Sequence, residues 1–226
     1  MNCVPRIFLD ANVFKFSATQ NLRFIPCNKK TYDAKGRVTG VQLYTLGHIN
    51  PNERLSNPEL RKEADLLSDV ALAVKRSELE AVTQLEADVE TWGLPNMDSE
   101  SGRFYGAPIR RVQAPIKYSR ILFGWGHFDS KQLRRDFLLH IRHPRFLELQ
   151  RMTGAYQGKK PPNENQLLDA FHIWCAEHNE CDFFLTLDLK LIRIVSEHPK
   201  RLSNLELVRP SELLERVRMR ASRGGQ

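Results

Sequence analysis

The sequence predicts an α/β protein with a central, mostly parallel sheet, an inserted β-hairpin and a basic helical insertion. Three observations carry that expectation. Two short apolar runs, Arg6–Leu9 and Cys181–Leu187, each end in an aspartate, Asp10 and Asp188. An amphipathic stretch over 163–178 feeds directly into the second run. Apolar residues alternate with polar ones over 21–46, on either side of a turn-rich stretch. Helix and strand in alternation favour parallel strands covered on both faces.

Arg6 to Leu9 reads as a buried first strand closed by Asp10, with Asn12 just beyond. Taken alone, those two polar residues are ordinary strand-end turn chemistry. Residues 21–46 predict a hairpin. Leu22 and Phe24 alternate outward, Asp33–Arg37 makes the turn, and Val41–Leu46 alternates on the return. Asn57 with Pro58 opens a helix over about 58–69. Val70–Val74 is either a second buried strand or a continuation of that helix, since periodicity does not arbitrate for so short an apolar run. Ser77 is then an N-cap candidate for a helix reaching Trp92, with Glu78 and Glu80 in its first turn, where the helix dipole favours negative charge. Residues 94–108, with two prolines and two glycines, read as loop.

Residues 103–160 form a basic block, with thirteen Lys and Arg against three acids. Its net charge of +10 exceeds the +7 of the whole chain, so the basicity is localised. Aromatics interleave it, and Ser130 opens a helix with Leu133, Phe137, Leu138 and Ile141 on one face. Such a block is either a phosphate-contacting surface with stacking residues or a solvated face over an ordinary core. On the first reading Arg110, Arg111, Lys117, Arg120, Arg134 and Arg135 contact nucleic acid. The apolar content of 41% supports a real core. No apolar run spans a membrane. Four scattered cysteines and an opening without a signal-peptide pattern make the cytoplasm the expected compartment.

Pro161 and Pro162 precede the helix of 163–178, and Asn163 is its N-cap. Leu167, Phe171, Trp174 and Cys175 make its apolar stripe, with Asp169 beside it. A helix over 189–197, a strand over 205–208 and a last helix from Pro210 follow, before a basic, frayed end from Arg216. The chain reads as one domain with its core at about 1–20, 58–93 and 160–215. Insertions fall at about 21–50 and 94–160, with a tail over 216–226.

Strand ends and helix starts share one edge of a parallel sheet, so Asp10, Glu78, Asp169 and Asp188 are expected to converge. Carboxylates so packed repel unless divalent cations neutralise them, and Mg²⁺ or Mn²⁺ suits an all-oxygen site. The chemistry that follows is phosphodiester hydrolysis by activated water. Zinc is a weaker reading of His172, Cys175, His178 and Cys181, because steps of three drift around a helix. No Gly-x-Ser-x-Gly elbow supports acyl transfer, and no Gly-rich phosphate loop supports an NTPase.

The sequence resembles the PIN-domain proteins, the nuclease superfamily that includes the toxin ribonucleases of bacterial toxin–antitoxin pairs. Ile7–Val13 is similar to the family's opening strand with its Asp-x-Asn. Leu168-Asp169-Ala170, the helix after it, and Asp182–Asp188 are similar to its second half, and Val208–Leu214 to its closing strand and helix. The resemblance implies a PIN-like three-layer fold and a metal-dependent nuclease. Asp10, Asp169 and Asp188 would be metal ligands or orient the attacking water. Glu78, with Glu80 as fallback, would be the fourth acid, and Asn12 and Thr186 would tie the site together. RNA is implied in preference to DNA as substrate, with an antitoxin protein or a second copy of the chain as further candidate partners. Two alternatives stand beside this one: a nucleic-acid-binding module that no longer cuts, and a toxin silenced by a cognate antitoxin.

Overall fold

The computed structural model describes residues 4–19, 21–27, 31–39, 43–91, 103–118, 130–155, 163–198, 202 and 204–224. Five parallel strands form the central sheet: β1 (Arg6–Leu9), β6 (Glu80–Thr83), β7 (Ile109–Arg111), β8 (Phe183–Leu185) and β9 (Glu206–Val208). Their order across the sheet is β7-β6-β1-β8-β9, with β1 paired to β6 on one side and β8 on the other. The chain therefore winds outward in one direction from β1, returns, and winds outward in the other.

Side-chain alternation on these strands builds two cores. Ile7, Leu9, Ala81, Phe183 and Leu185 face one layer, with Val13 and Phe14 of α1 (Ala11–Ser17), Leu67 and Val70 of α3 (Leu67–Lys75) and Leu213 of α9 (Pro210–Gly224). Phe8, Val82 and Phe184 face the other. There they meet Leu138 of α5 (Ser130–His140), Phe146 of α6 (Pro144–Met152), and Phe171 and Trp174 of α7 (Glu164–His178). Phe8 stacks on Phe184 at 5.5 Å between centroids. Period-two strands buried on both faces are what a parallel sheet between helical layers requires. The three-layer α/β architecture is thus present, and no described helix is long and apolar enough to cross a membrane.

The expected hairpin is present. β2 (Asn21–Cys27) pairs antiparallel with β5 (Leu43–Ile49), and inside it β3 (Thr31–Tyr32) pairs with β4 (Val38–Thr39). Asp33 organises the turn by accepting from Lys35 and Arg37 amides, and Gly36 takes φ +72°. The N-cap at Asn163 holds α7, accepting from the Asn165 amide at 3.0 Å. Pro144 starts α6, capped by His143.

Other expectations are corrected. Residues 58–75 form α2 (Pro58–Asp65) and α3, so Val70–Val74 is helical. Ser77 does not open a helix; it closes α3. Its φ is 59°, its amide reaches Val74 O, and the Glu78 amide reaches Ala73 O, the paired bonds of a Schellman C-cap. The strand follows at once as β6, because Ala81 and Val82 must each fill a different core. The helix is only α4 (Leu85–Thr91), whose Glu86 amide is received by the Gln84 side chain. The basic block supplies β7, α5 and α6 to the packed body. Leu133, expected on one face of α5 with Phe137, Leu138 and Ile141, is exposed. The end from Arg216 to Gly224 continues α9 as helix.

Candidate active site

The order of strands reverses between β1 and β8. In open parallel sheets the crevice at such a point, beyond the carboxyl ends of the strands, is where ligands bind. Asp10 directly follows β1, and Asp188 stands three residues past β8. Asp10 is 5% exposed and caps α1, its Oδ1 accepting from the Ala11 amide at 2.7 Å. Its Oδ2 accepts from Thr186 Oγ1 at 2.7 Å. Thr186 Oγ1 in turn accepts from Asn12 Nδ2 at 2.9 Å and from the Asp188 amide at 3.1 Å, which uses its one donor and both lone pairs. Asn12 Oδ1 receives the Leu187 amide at 3.1 Å. Asn12 and Thr186 therefore lock the β1 and β8 ends together. Asp188 caps α8 (Leu189–Ser196) by accepting from the Leu191 amide at 2.9 Å.

Two helices complete the cluster. α7 presents Asp169 and, one turn on, His172; α4 presents Glu90. His172 is 1% exposed, with Nδ1 at 3.5 Å from Asp10 and Nε2 at 3.3 Å from Glu90, neither contact having hydrogen-bond geometry. Burial pushes the Asp169 carboxyl well above the usual carboxylate range, and the charges of Asp10, Asp188 and Glu90 push it further, against His172. Glu90 is raised as well, by burial first and then by Asp10, with His172 opposing. Burial lowers His172, but Asp10 and Glu90 outweigh it and bring the imidazole up to about 9. The carboxylates thus form a site short of positive charge, answered among the described residues by His172 and, at Glu90, by the charge of Arg134.

Only oxygen donors are offered by Asp10, Asp169, Asp188 and Glu90, a set whose chemistry fits a hard divalent cation. Among the described residues no donor hydrogen-bonds to Asp169, whose half-buried carboxylate a cation would compensate. Among those residues, too, no three His, Cys, Asp or Glu side chains are already grouped to hold an ion. The four zinc candidates diverge: His172 faces the acids, Cys175 and Cys181 are buried, and His178 is exposed.

The structure does not bring Glu78 into this cluster. It is exposed in the turn before β6, at the amino end of the strand, while the acids stand beyond the carboxyl ends. Glu80, the fallback, begins β6 and binds Arg6 and Arg110 at 2.8 Å each. The acid that does reach the cluster from this region is Glu90. It was illegible while 77–92 read as one helix. His172 had a signal, since three residues after Asp169 on a helix places it on the same face.

The basic candidates separate. Arg134 is 13% exposed and forks onto Glu164 with bonds of 2.8 and 3.0 Å, so its guanidinium is committed inside the fold. Arg110 pairs with Glu80, and Arg111 with Asp88, both with more than half of the side chain exposed. Lys117 is exposed, Arg135 is half-buried, and Arg120 lies outside the described residues. The chain matches no family model, no curated protein and no solved structure.

Proposed function

We propose that this protein is a PIN-like, metal-dependent nuclease that hydrolyses phosphodiester bonds, in RNA in preference to DNA. The observation that carries the reading is the gathering of Asp10, Asp169 and Asp188 at the switch point of a parallel sheet, with Glu90 beside them. Asp10, Asp169 and Asp188 would hold Mg²⁺ or Mn²⁺, with Glu90 as fourth acid. When bound, the cation supplies charge neutralisation and a water acidic enough to attack phosphorus at neutral pH.

The chain's own groups do the rest. Thr186 and Asn12 fix the Asp10 carboxylate and the 186–188 backbone, so one ligand is preorganised before any ion arrives. Asp188 keeps Oδ2 outside its capping bond, which uses Oδ1. Asp169 is half-buried and its carboxyl is raised by burial and by the neighbouring acids, so nearby positive charge favours its ionised form. The preference for RNA rests on the resemblance alone.

The test is cleavage of single-stranded RNA with Mg²⁺ or Mn²⁺. Asp169→Asn should abolish cleavage and leave RNA binding intact; undiminished cleavage by that variant rejects the assignment. One observation favours the second reading, a binding module that does not cut: His172 already places a cationic group between Asp10 and Glu90. Calorimetric titration with Mn²⁺ separates the two. Binding lost in Asp169→Asn supports the nuclease, and absence of binding in the wild type supports the module.

A further inference from the structure

Beside the acid cluster, on the other side of α4, lies a pocket of about 500 Å³. Glu90 and Asp88 are two residues apart, about 200° around the helix, so one faces the acids and the other faces this pocket. Thr83, which ends β6, and Arg111, which ends β7, line it together with Asp88, Arg103 and Gly106. It opens on the same sheet edge as the acids. At the usual strand spacing it stands roughly 5–10 Å from the end of β1.

Asp88 is buried and carries two guanidinium groups. Arg111 donates to Oδ2 through Nε at 2.8 Å and Nη2 at 2.5 Å, and Arg103 donates to Oδ1 through Nη2. One carboxylate for two arginines leaves one positive charge unanswered among the described residues. Arg111 keeps 64% of its side chain exposed. Arg103 is steadied by its guanidinium lying 4.3 Å from the Phe14 ring centroid. Two further polar atoms are buried without hydrogen-bond partners among the described residues: Thr83 Oγ1, in a residue only 2% exposed, and Arg103 Nε. A buried hydroxyl and a buried N–H left unsatisfied in an electropositive pocket are suited to an oxyanion. The wall is built at some cost. Phe104, Tyr105 and Gly106 take φ of 45°, 54° and 71°, held by the burial of Phe104 and by Lys75 Nζ donating to Tyr105 O at 2.5 Å.

We propose that this pocket is a phosphate subsite for a nucleic-acid strand, engaged through Arg111, Arg103 and the Thr83 hydroxyl. The proposal rests on the reading of the protein as one that holds nucleic acid, and its test needs no cleavage. The probe is a short single-stranded RNA labelled with fluorescein at its 3′ end, with and without a 5′-phosphate. Binding is followed by anisotropy in EDTA over a range of salt. Arg111→Gln should weaken binding about tenfold and reduce the slope of log affinity against log salt by about 1, with the fold retained by circular dichroism at the assay temperature. Thr83→Val should weaken it less, and Arg111→Lys should recover part of the loss, because charge returns without the fork. A loss confined to the 5′-phosphorylated probe assigns a terminal phosphate, and an equal loss on both probes an internucleotide one; either supports the subsite. Wild-type affinity and slope in Arg111→Gln overturn it, as does a wild-type protein that does not bind the probe. Cleavage with Mg²⁺ is read separately on the same probe, so failure of the nuclease reading shows in cleavage and failure of this one in binding.

Discussion

At the scale of single residues, His172 is the group whose behaviour tests the charge balance of the site. Its imidazole is raised from 6.5 to about 9 because Asp10 and Glu90 face it, although burial acts against them. A histidine raised in the folded state contributes stability that is fully present below its unfolded value and is lost as pH rises through the folded one. Without divalent cations, the melting temperature should therefore fall between pH 6.5 and about 9. Asp169, also raised, pushes in the same direction as pH climbs above the usual carboxylate range. His172→Gln should remove the fall in the upper window, and a melting temperature that is flat there in the wild type would show that the imidazole stays neutral. Asp10 and Asp188 were legible in the sequence because each follows an apolar strand, where local pattern fixes position, whereas Thr186 entered through the family resemblance alone. Glu90 was not legible, because its place depends on where a helix starts, and that was decided by tertiary packing.

At the scale of elements, the start of α4 is set by how α3 ends. Ser77 followed by Glu78 looks like the opening of a helix, yet the same residues close the one before. A polar residue can cap either end, and short-range pattern does not say which. The structure repeats the device at Glu180 after α7 and at Gly154 after α6, each with the paired Schellman bonds and φ of 51° and 75°. Ser77 and Glu180 pay a left-handed penalty that glycine avoids, so Ser77→Gly should raise stability by about 1 kcal/mol in chemical denaturation. Two neighbouring substitutions test the consequence for function. Glu78→Gln should leave Mn²⁺ affinity and cleavage unchanged, while Glu90→Gln should lower both. The opposite pattern would return the fourth acid to the turn before β6. β7 escaped the sequence for a related reason: Ile109-Arg110-Arg111 carries one apolar residue, and only pairing with β6 makes it a strand.

Across the whole molecule, charge and architecture divide the basic block. Its helices pack on α7, and Arg134 and Arg145 are held by Glu164 and Glu177. Reversing Arg134 would set two carboxylates against each other inside the fold, so exposed Arg111 and Lys117 are the sounder probes of nucleic-acid contact. The hairpin stands in contrast, because none of its strands joins the five-stranded sheet. Its two ends return to one place: Asn52 Nδ2 donates to Phe16 O at 2.7 Å. Closing a short loop between points already that close costs little entropy. Replacing residues 21–49 with a brief glycine-rich linker should therefore leave a folded protein, with stability within about 1 kcal/mol of the intact chain. If the acid cluster needs only the central sheet and its helices, Mn²⁺ binding should survive the excision as well. A variant that folds but loses Mn²⁺ would mean that the hairpin takes part in the site, and one that fails to fold would mean that it belongs to the core.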